Sequence, residues 1–165
     1  MQPITLAEIN ATKLINTNAK KWCADNLDYL NRPIKFFGSS LKVEKGADKY
    51  DTYIMYLQPA DKVATDSLSK FAELAGCKEP CLISSGQLGM STGQNAATKR
   101  TVLMILRPLD FSSTLLSEID KAERKALKPG QLPALFRLNG TSDLDFSDIY
   151  KARPASQFYD YSKEL

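Results

Sequence analysis

Across residues 5–31 the apolar positions fall mostly at three- and four-residue steps: Leu6, Ile9, Leu14 and Ile15, then Ala19, Trp22, Cys23, Leu27 and Leu30. That spacing lines one side of a 3.6-residue helix and predicts either one long or two short amphipathic helices. Pro33 closes the region, because the residue before a proline is pushed out of the helical conformation. The pattern then changes. Residues 34–37 read as a strand entering Gly-Ser-Ser, and residues 50–58 (YDTYIMYLQ) are β-branched and aromatic without a breaker, which makes them the best strand in the chain. Pro59 and Asp61 end that strand, and residues 66–75 are compatible with a helix.

Residues 91–107 (STGQNAATKRTVLMILR) open on a Ser/Thr cap and carry Ala96, Val102 and Ile105, so a helix is expected up to Pro108. Residues 110–130 (DFSSTLLSEIDKAERKALKPG) have capping serines, an apolar stripe of Leu115, Leu116, Ile119, Ala122 and Ala126, and Gly130 after Pro129 at the end. Residues 132–140 read as a buried strand running into the turn TSDLDF, followed by a short helix near residues 145–151 and a short strand in SQFYDY. The order after Tyr50 is strand, cysteine-bearing loop, helix, helix, strand, short helix, strand. This is the rhythm of βα crossover units, so the expected fold class is α/β with a small, mainly parallel sheet. One domain is expected over residues 1–165, with an N-terminal helical segment at 1–32 and an α/β core at 33–165.

Composition narrows the chemistry. With 165 residues, 43% apolar and 25% charged, the chain suits one hydrophobic core. A net charge of +3 is mild; it permits nucleic-acid contact without arguing for it. No apolar run approaches the roughly 20 residues of a membrane span, and the N-terminus lacks a signal-peptide layout, so the cytoplasm is expected. Three cysteines, an odd count, fit reduced thiols better than a disulfide framework. The absence of histidine excludes Ser-His-Asp and Cys-His catalysis and the usual His-containing zinc sites. Acid–base work would fall to Asp, Glu, Lys, Tyr or a thiol.

Several constellations are candidates. Residues 76–90 (GCKEPCLISSGQLGM) hold Cys77 and Cys81, whose spacing allows a shared metal if Asp, Glu or a second subunit completes the set; equally, they pair with each other or pack under a loop. Cys23 beside Trp22 reads as core. Residues 84–94 (SSGQLGMSTGQ) lead into a helix N-terminus and would either cradle a phosphate through backbone amides or simply connect; no Lys follows the second glycine, so this is not a P-loop. Lys99 and Arg100 would add charge to such a pocket or form a solvated face. In FRLNGTSDLD, Arg137 and Asn139 share one side of a strand. Arg137 can grip a carboxylate or phosphate with two parallel hydrogen bonds while Asn139, Ser142 and Asp143 fix a second group; the plainer reading is an Arg137–Asp salt bridge tying strand to turn. Asp143 and Asp145 suit a metal or, more simply, a helix cap. Tyr159 and Lys163 form a Tyr-x-x-x-Lys pair without any nucleotide fingerprint beside it.

Four segments in order, residues 76–90, QNAATKRT at 94–101, ALFRLNGTSDLDF at 134–146 and SQFYDYSKEL at 156–165, resemble a family of bacteriophage proteins of the gene product eighty-eight type. The resemblance runs from Ser39 onward. It implies a phage-encoded protein of the host cytoplasm whose cysteine loop is similar to a radical-SAM cluster loop, on a partial (β/α) barrel. It further implies an iron–sulfur cluster with S-adenosylmethionine at Cys77 and Cys81. Such a cluster needs three thiolates; here Ser69 or a neighbour stands where the first would be, so the third ligand would come from Ser69, another chain or further C-terminal residues. Relatives continue beyond FYDYTK, whereas this chain stops at Leu165. The alternative is a binding module without catalysis, acting on a host protein or nucleic acid.

Overall fold

A computed structural model describes residues 2–38, 49–65, 91–142 and 144–160. The N-terminal segment forms three short helices, α1 (Leu6–Ala11), α2 (Thr17–Asp25) and α3 (Leu27–Leu30), rather than one or two. The apolar periodicity is interrupted by caps. Thr5 accepts from Glu8 N to start α1, and Asn16 accepts from Ala19 N at 2.9 Å to start α2. Asn26 both ends α2 and precedes α3, its side chain donating back to the Trp22 carbonyl at 2.8 Å. Each short polar side chain offers the backbone a bond that a continuing helix could not.

The strand expected at residues 34–37 shrinks to β1 (Phe37–Gly38). Phe36 N donates to the Glu118 carboxylate at 2.9 Å instead of to a neighbouring strand, which holds the preceding backbone off the sheet. β2 (Asp51–Met55) leads through α4 (Ala60–Val63) toward α5 (Ser91–Leu106); the expected helix at 66–75 lies outside the described residues. α6 (Pro108–Ala126) follows α5 after Arg107 alone. Pro108 thus ends one helix and opens the next, at a position where its missing N–H costs nothing. Ser112 and Ser113 lie inside α6 rather than capping it. Then come β3 (Ala134–Arg137), α7 (Ser147–Ala152) and β4 (Gln157–Phe158).

The four strands lie in the order β1-β2-β3-β4, antiparallel at the first pair and parallel at the other two. α5 and α6 carry the crossover from β2 to β3, and Lys125 near the end of α6 pairs with Asp51 at the start of β2 at 2.6 Å. The fold is therefore mixed α/β with a small, mostly parallel sheet behind an N-terminal helical segment.

The register puts Tyr53 opposite Phe136 and Phe136 opposite Phe158. An aromatic row consequently crosses the sheet. Phe37, Tyr53, Phe136, Phe158 and, from α7, Tyr150 follow one another at centroid separations of 4.8–5.7 Å. This face joins one core cluster with Phe111, Leu115 and Ile119 of α6 and Ile4, Ile9, Leu30 and Phe36 of the N-terminal segment. Ile54 and Leu135, on the opposite face, belong to no part of that core. Among the described residues no helix is long and apolar enough to cross a membrane.

At the α5–α6 junction, Arg107 fastens the N-terminus. Its Nε and Nη2 donate to the two Glu8 carboxylate oxygens at 2.9 and 2.8 Å, and its guanidinium also reaches the carbonyls of Gln2 and Pro3. The bond from Arg107 holds the Glu8 carboxyl below its ordinary value of 4.5. A depressed folded pKa gives stabilisation that is full above the unfolded value and lost as pH falls through the folded one. Urea midpoints of the wild type are therefore expected to fall more steeply below pH 4.5 than those of Glu8→Gln, the two curves converging in acid.

Candidate functional site at the carboxyl ends of the parallel strands

Parallel α/β sheets place their sites beyond the carboxyl ends of the strands. Here those ends are stitched together. Gly140 N donates to Met55 O at 3.0 Å. A Cβ at Gly140 would run into that carbonyl oxygen and lie 2.8 Å from Tyr56 Cδ1 and 2.9 Å from Ile54 Cγ2, so only glycine allows the approach. Thr141 Oγ1 accepts from Leu57 N at 3.1 Å and donates to Leu57 O at 2.6 Å. From α5, Thr101 Oγ1 accepts from Gln58 N at 3.0 Å.

Asn139 is buried and closes the turn after β3. Its Oδ1 accepts from Leu144 N at 3.0 Å and Ser142 Oγ at 2.9 Å, and its Nδ2 donates to Leu144 O at 3.0 Å. The side chain of Asn139 thus substitutes for a backbone partner across the loop. Asp143 lies outside the described residues, and Asp145 accepts from Ser147 N at 2.8 Å at the start of α7. Arg137, on the face away from the core, has a side chain 17% exposed and Nε 3.7 Å from Asp160 Oδ1. This ion pair joins β3 to the chain beyond β4.

Lys99 and Arg100 do not form a solvated face: they are 4% and 7% exposed. Residues 99–103 are all buried, so this part of α5 is enclosed on every side. Lys99 Nζ donates to the carbonyls of Tyr29 at 2.7 Å, Arg32 at 2.6 Å and Pro33 at 3.5 Å, and sits 4.9 Å from the Tyr29 ring centroid. Three ammonium hydrogens meet three carbonyls. Arg100 donates from Nε to Lys35 O at 2.7 Å and from Nη1 to Tyr56 O at 3.0 Å. Burial lowers Lys99 to about 8, helped by the charges of Arg32 and Arg100. Burial also lowers Arg100, opposed by nearby Tyr29 and Glu118.

The five anion-site candidates among the described residues are thus divided among separate partners. Lys99 and Arg100 bind main-chain carbonyls of the N-terminal segment and of Tyr56, Asn139 and Ser142 bind within their own turn, and Arg137 faces Asp160. Sequence reasoning missed Thr101 and Thr141 as stitches, although Thr101 ends QNAATKRT and Thr141 lies within ALFRLNGTSDLDF. It also missed the bond from Trp22 Nε1 to Asn95 Oδ1 at 3.1 Å. Cys23 is fully buried and its thiol is pushed up to about 11, as a core cysteine should be. Cys77, Cys81 and Ser69 lie outside the described residues, as does Lys163. Among the described residues no group of three or more Asp, Glu or Cys is placed to hold a metal.

Replacing Arg100 by Met would leave the Lys35 and Tyr56 carbonyls without this donor and cut the tie between them, a loss of about 2–4 kcal/mol. Urea denaturation should show that loss for Arg100→Met, and a change within about 0.5 kcal/mol for Lys121→Met on the exposed side of α6.

No curated protein and no solved structure matches the chain. A family match covers residues 38–165, taking in β2 to β4, α4 to α7 and the cations of α5, and leaving the three N-terminal helices outside. Over that span the protein belongs to the Gene product 88 family.

Proposed function

We propose that this protein binds a carboxylate or phosphate group at Arg137, on the sheet face turned away from the core. The observation that carries this reading is the placement of an arginine at the carboxyl end of a parallel strand. It is only partly exposed and lies 3.7 Å from its carboxylate neighbour. A guanidinium in that place can grip a carboxylate or phosphate with two parallel hydrogen bonds. Asn139 and Ser142 serve by holding the adjoining turn, not by touching the ligand. In the phage-type setting that the family suggests, the ligand would be an anionic group in the host cytoplasm, free or carried by a host protein.

Titration of 15N-labelled protein with inorganic phosphate and with citrate is expected to give saturable shifts around residues 135–138 and 158–160. Arg137→Ala should abolish them and Arg137→Lys should weaken them about tenfold, because lysine lacks the two-pronged geometry. Unchanged binding in Arg137→Ala, or no binding by the wild type, would refute the site.

A second reading, an iron–sulfur enzyme acting with S-adenosylmethionine, is favoured by topology. Cys77 and Cys81 fall in the crossover between β2 and β3, after α4 and before Ser91, and in parallel α/β folds such crossovers commonly carry site residues. Stoichiometric iron and acid-labile sulfide in protein purified without oxygen, lost in a Cys77→Ala, Cys81→Ala double variant, would make this reading primary. Metal-free protein that stays folded in both forms would retire it.

A further inference from the structure

Between the buried anchors Leu30 and Phe36 runs a short strip, residues 31–35, in which Asn31, Arg32, Pro33 and Lys35 are exposed. Its carbonyls, with that of Tyr29, bind Lys99 and the Nε of Arg100 from below. Two cations therefore lie beneath the strip and two more, Arg32 and Lys35, stand on top of it. None of the described ion pairs engages any of the four. Among the described residues Glu118 attracts Arg100 while accepting from Phe36 N, and exposed Asp28 lies four residues before Arg32. The carbonyls hydrogen-bond the buried cations without cancelling their charge, and a low-dielectric surround sends the field of a buried charge outward through the strip.

Beside the cations stand two half-buried aromatic rings. Tyr29 lies against Lys99, and Trp22 meets Tyr29 edge-on at 6.3 Å between centroids. Exposed cations beside half-buried aromatic rings suit a chain of phosphates carrying unpaired bases, since phosphates take the charge and bases stack. An acidic polypeptide would use the charge but not the rings. We propose that residues 29–35, with Trp22, form a docking strip for single-stranded nucleic acid. The site is separate from Arg137, and its residues 29–35 lie outside the family match.

The test is fluorescence anisotropy of a labelled, mixed-sequence single-stranded DNA oligonucleotide against the full chain, at salt concentrations from low to physiological. Trp22, the single tryptophan, gives an independent quenching signal. The Arg32→Ala, Lys35→Ala double variant removes exposed side chains whose loss leaves every carbonyl in place. It is expected to bind on the order of tenfold more weakly, with a salt slope shallower by about 1.4, at roughly 0.7 for each phosphate left without its cation. Lys121→Ala, Lys128→Ala, which removes the same charge from exposed positions in and just beyond α6, is expected to bind as the wild type does. Absence of wild-type binding at low salt, equal losses in the two double variants, or polyglutamate binding as tightly as the oligonucleotide would each overturn the proposal.

Discussion

A stretch of helix enclosed on every side cannot leave a lysine and an arginine without solvation, and α5 carries both at adjacent buried positions within residues 99–103. An isolated buried charge is so costly that such groups either find partners or lose their proton. Here the partners are main-chain carbonyls. Those of Tyr29, Arg32, Pro33 and Lys35 come from the N-terminal segment, and that of Tyr56 comes from just beyond β2. The two cations therefore tie the N-terminal helices, the central helix and the carboxyl end of β2 to one point.

The rest of the architecture is consistent with that tie. The N-terminal segment supplies Ile4, Ile9, Ile15, Cys23, Leu30 and Phe36 to the same core that holds the aromatic face of the sheet. Arg107 repeats the device at the far end of α5, using the carbonyls of Gln2 and Pro3 beside the Glu8 carboxylate. Recognition through carbonyls reads backbone position rather than side-chain identity. The cations on α5 are thus constrained more tightly than the side chains of the strip they hold. The sheet, by contrast, joins the core through one face only, and that asymmetry leaves Arg137 on the other.

Regular periodicity made part of this legible in the sequence. The stripe Leu115, Ile119 and Ala122 identified α6, the β-branched and aromatic run identified β2, and the alternation of strands with helices gave the parallel crossover. The N-terminal helices were misjudged in number because Asn16 and Asn26 sit inside a continuous apolar pattern and act as caps, overriding it. The roles of Lys99 and Arg100 were hidden for a different reason. A charged pair in a helix reads as solvent-facing, and partners that are main-chain carbonyls from residues 29–35 and Tyr56 leave no mark in side-chain sequence. The five buried positions at 99–103 begin with that pair and continue into Thr-Val-Leu, an apolar continuation that hinted at enclosure. Asn139 followed by Gly140 signalled a turn correctly, but its use to close the loop onto Leu144 depends on geometry that spacing alone does not carry.

Native-state hydrogen exchange on the full chain tests most directly whether the N-terminal helices and the family region are one cooperative unit held by the buried cations. Interior amides of α2, such as that of Cys23, are predicted to open with the same free energy and denaturant dependence as those of Val102 in α5 and Phe136 in β3. If the α2 amides instead exchanged through a separate, lower-energy opening while Val102 and Phe136 kept full protection, the carbonyl-bound cations would not be what holds the fold together.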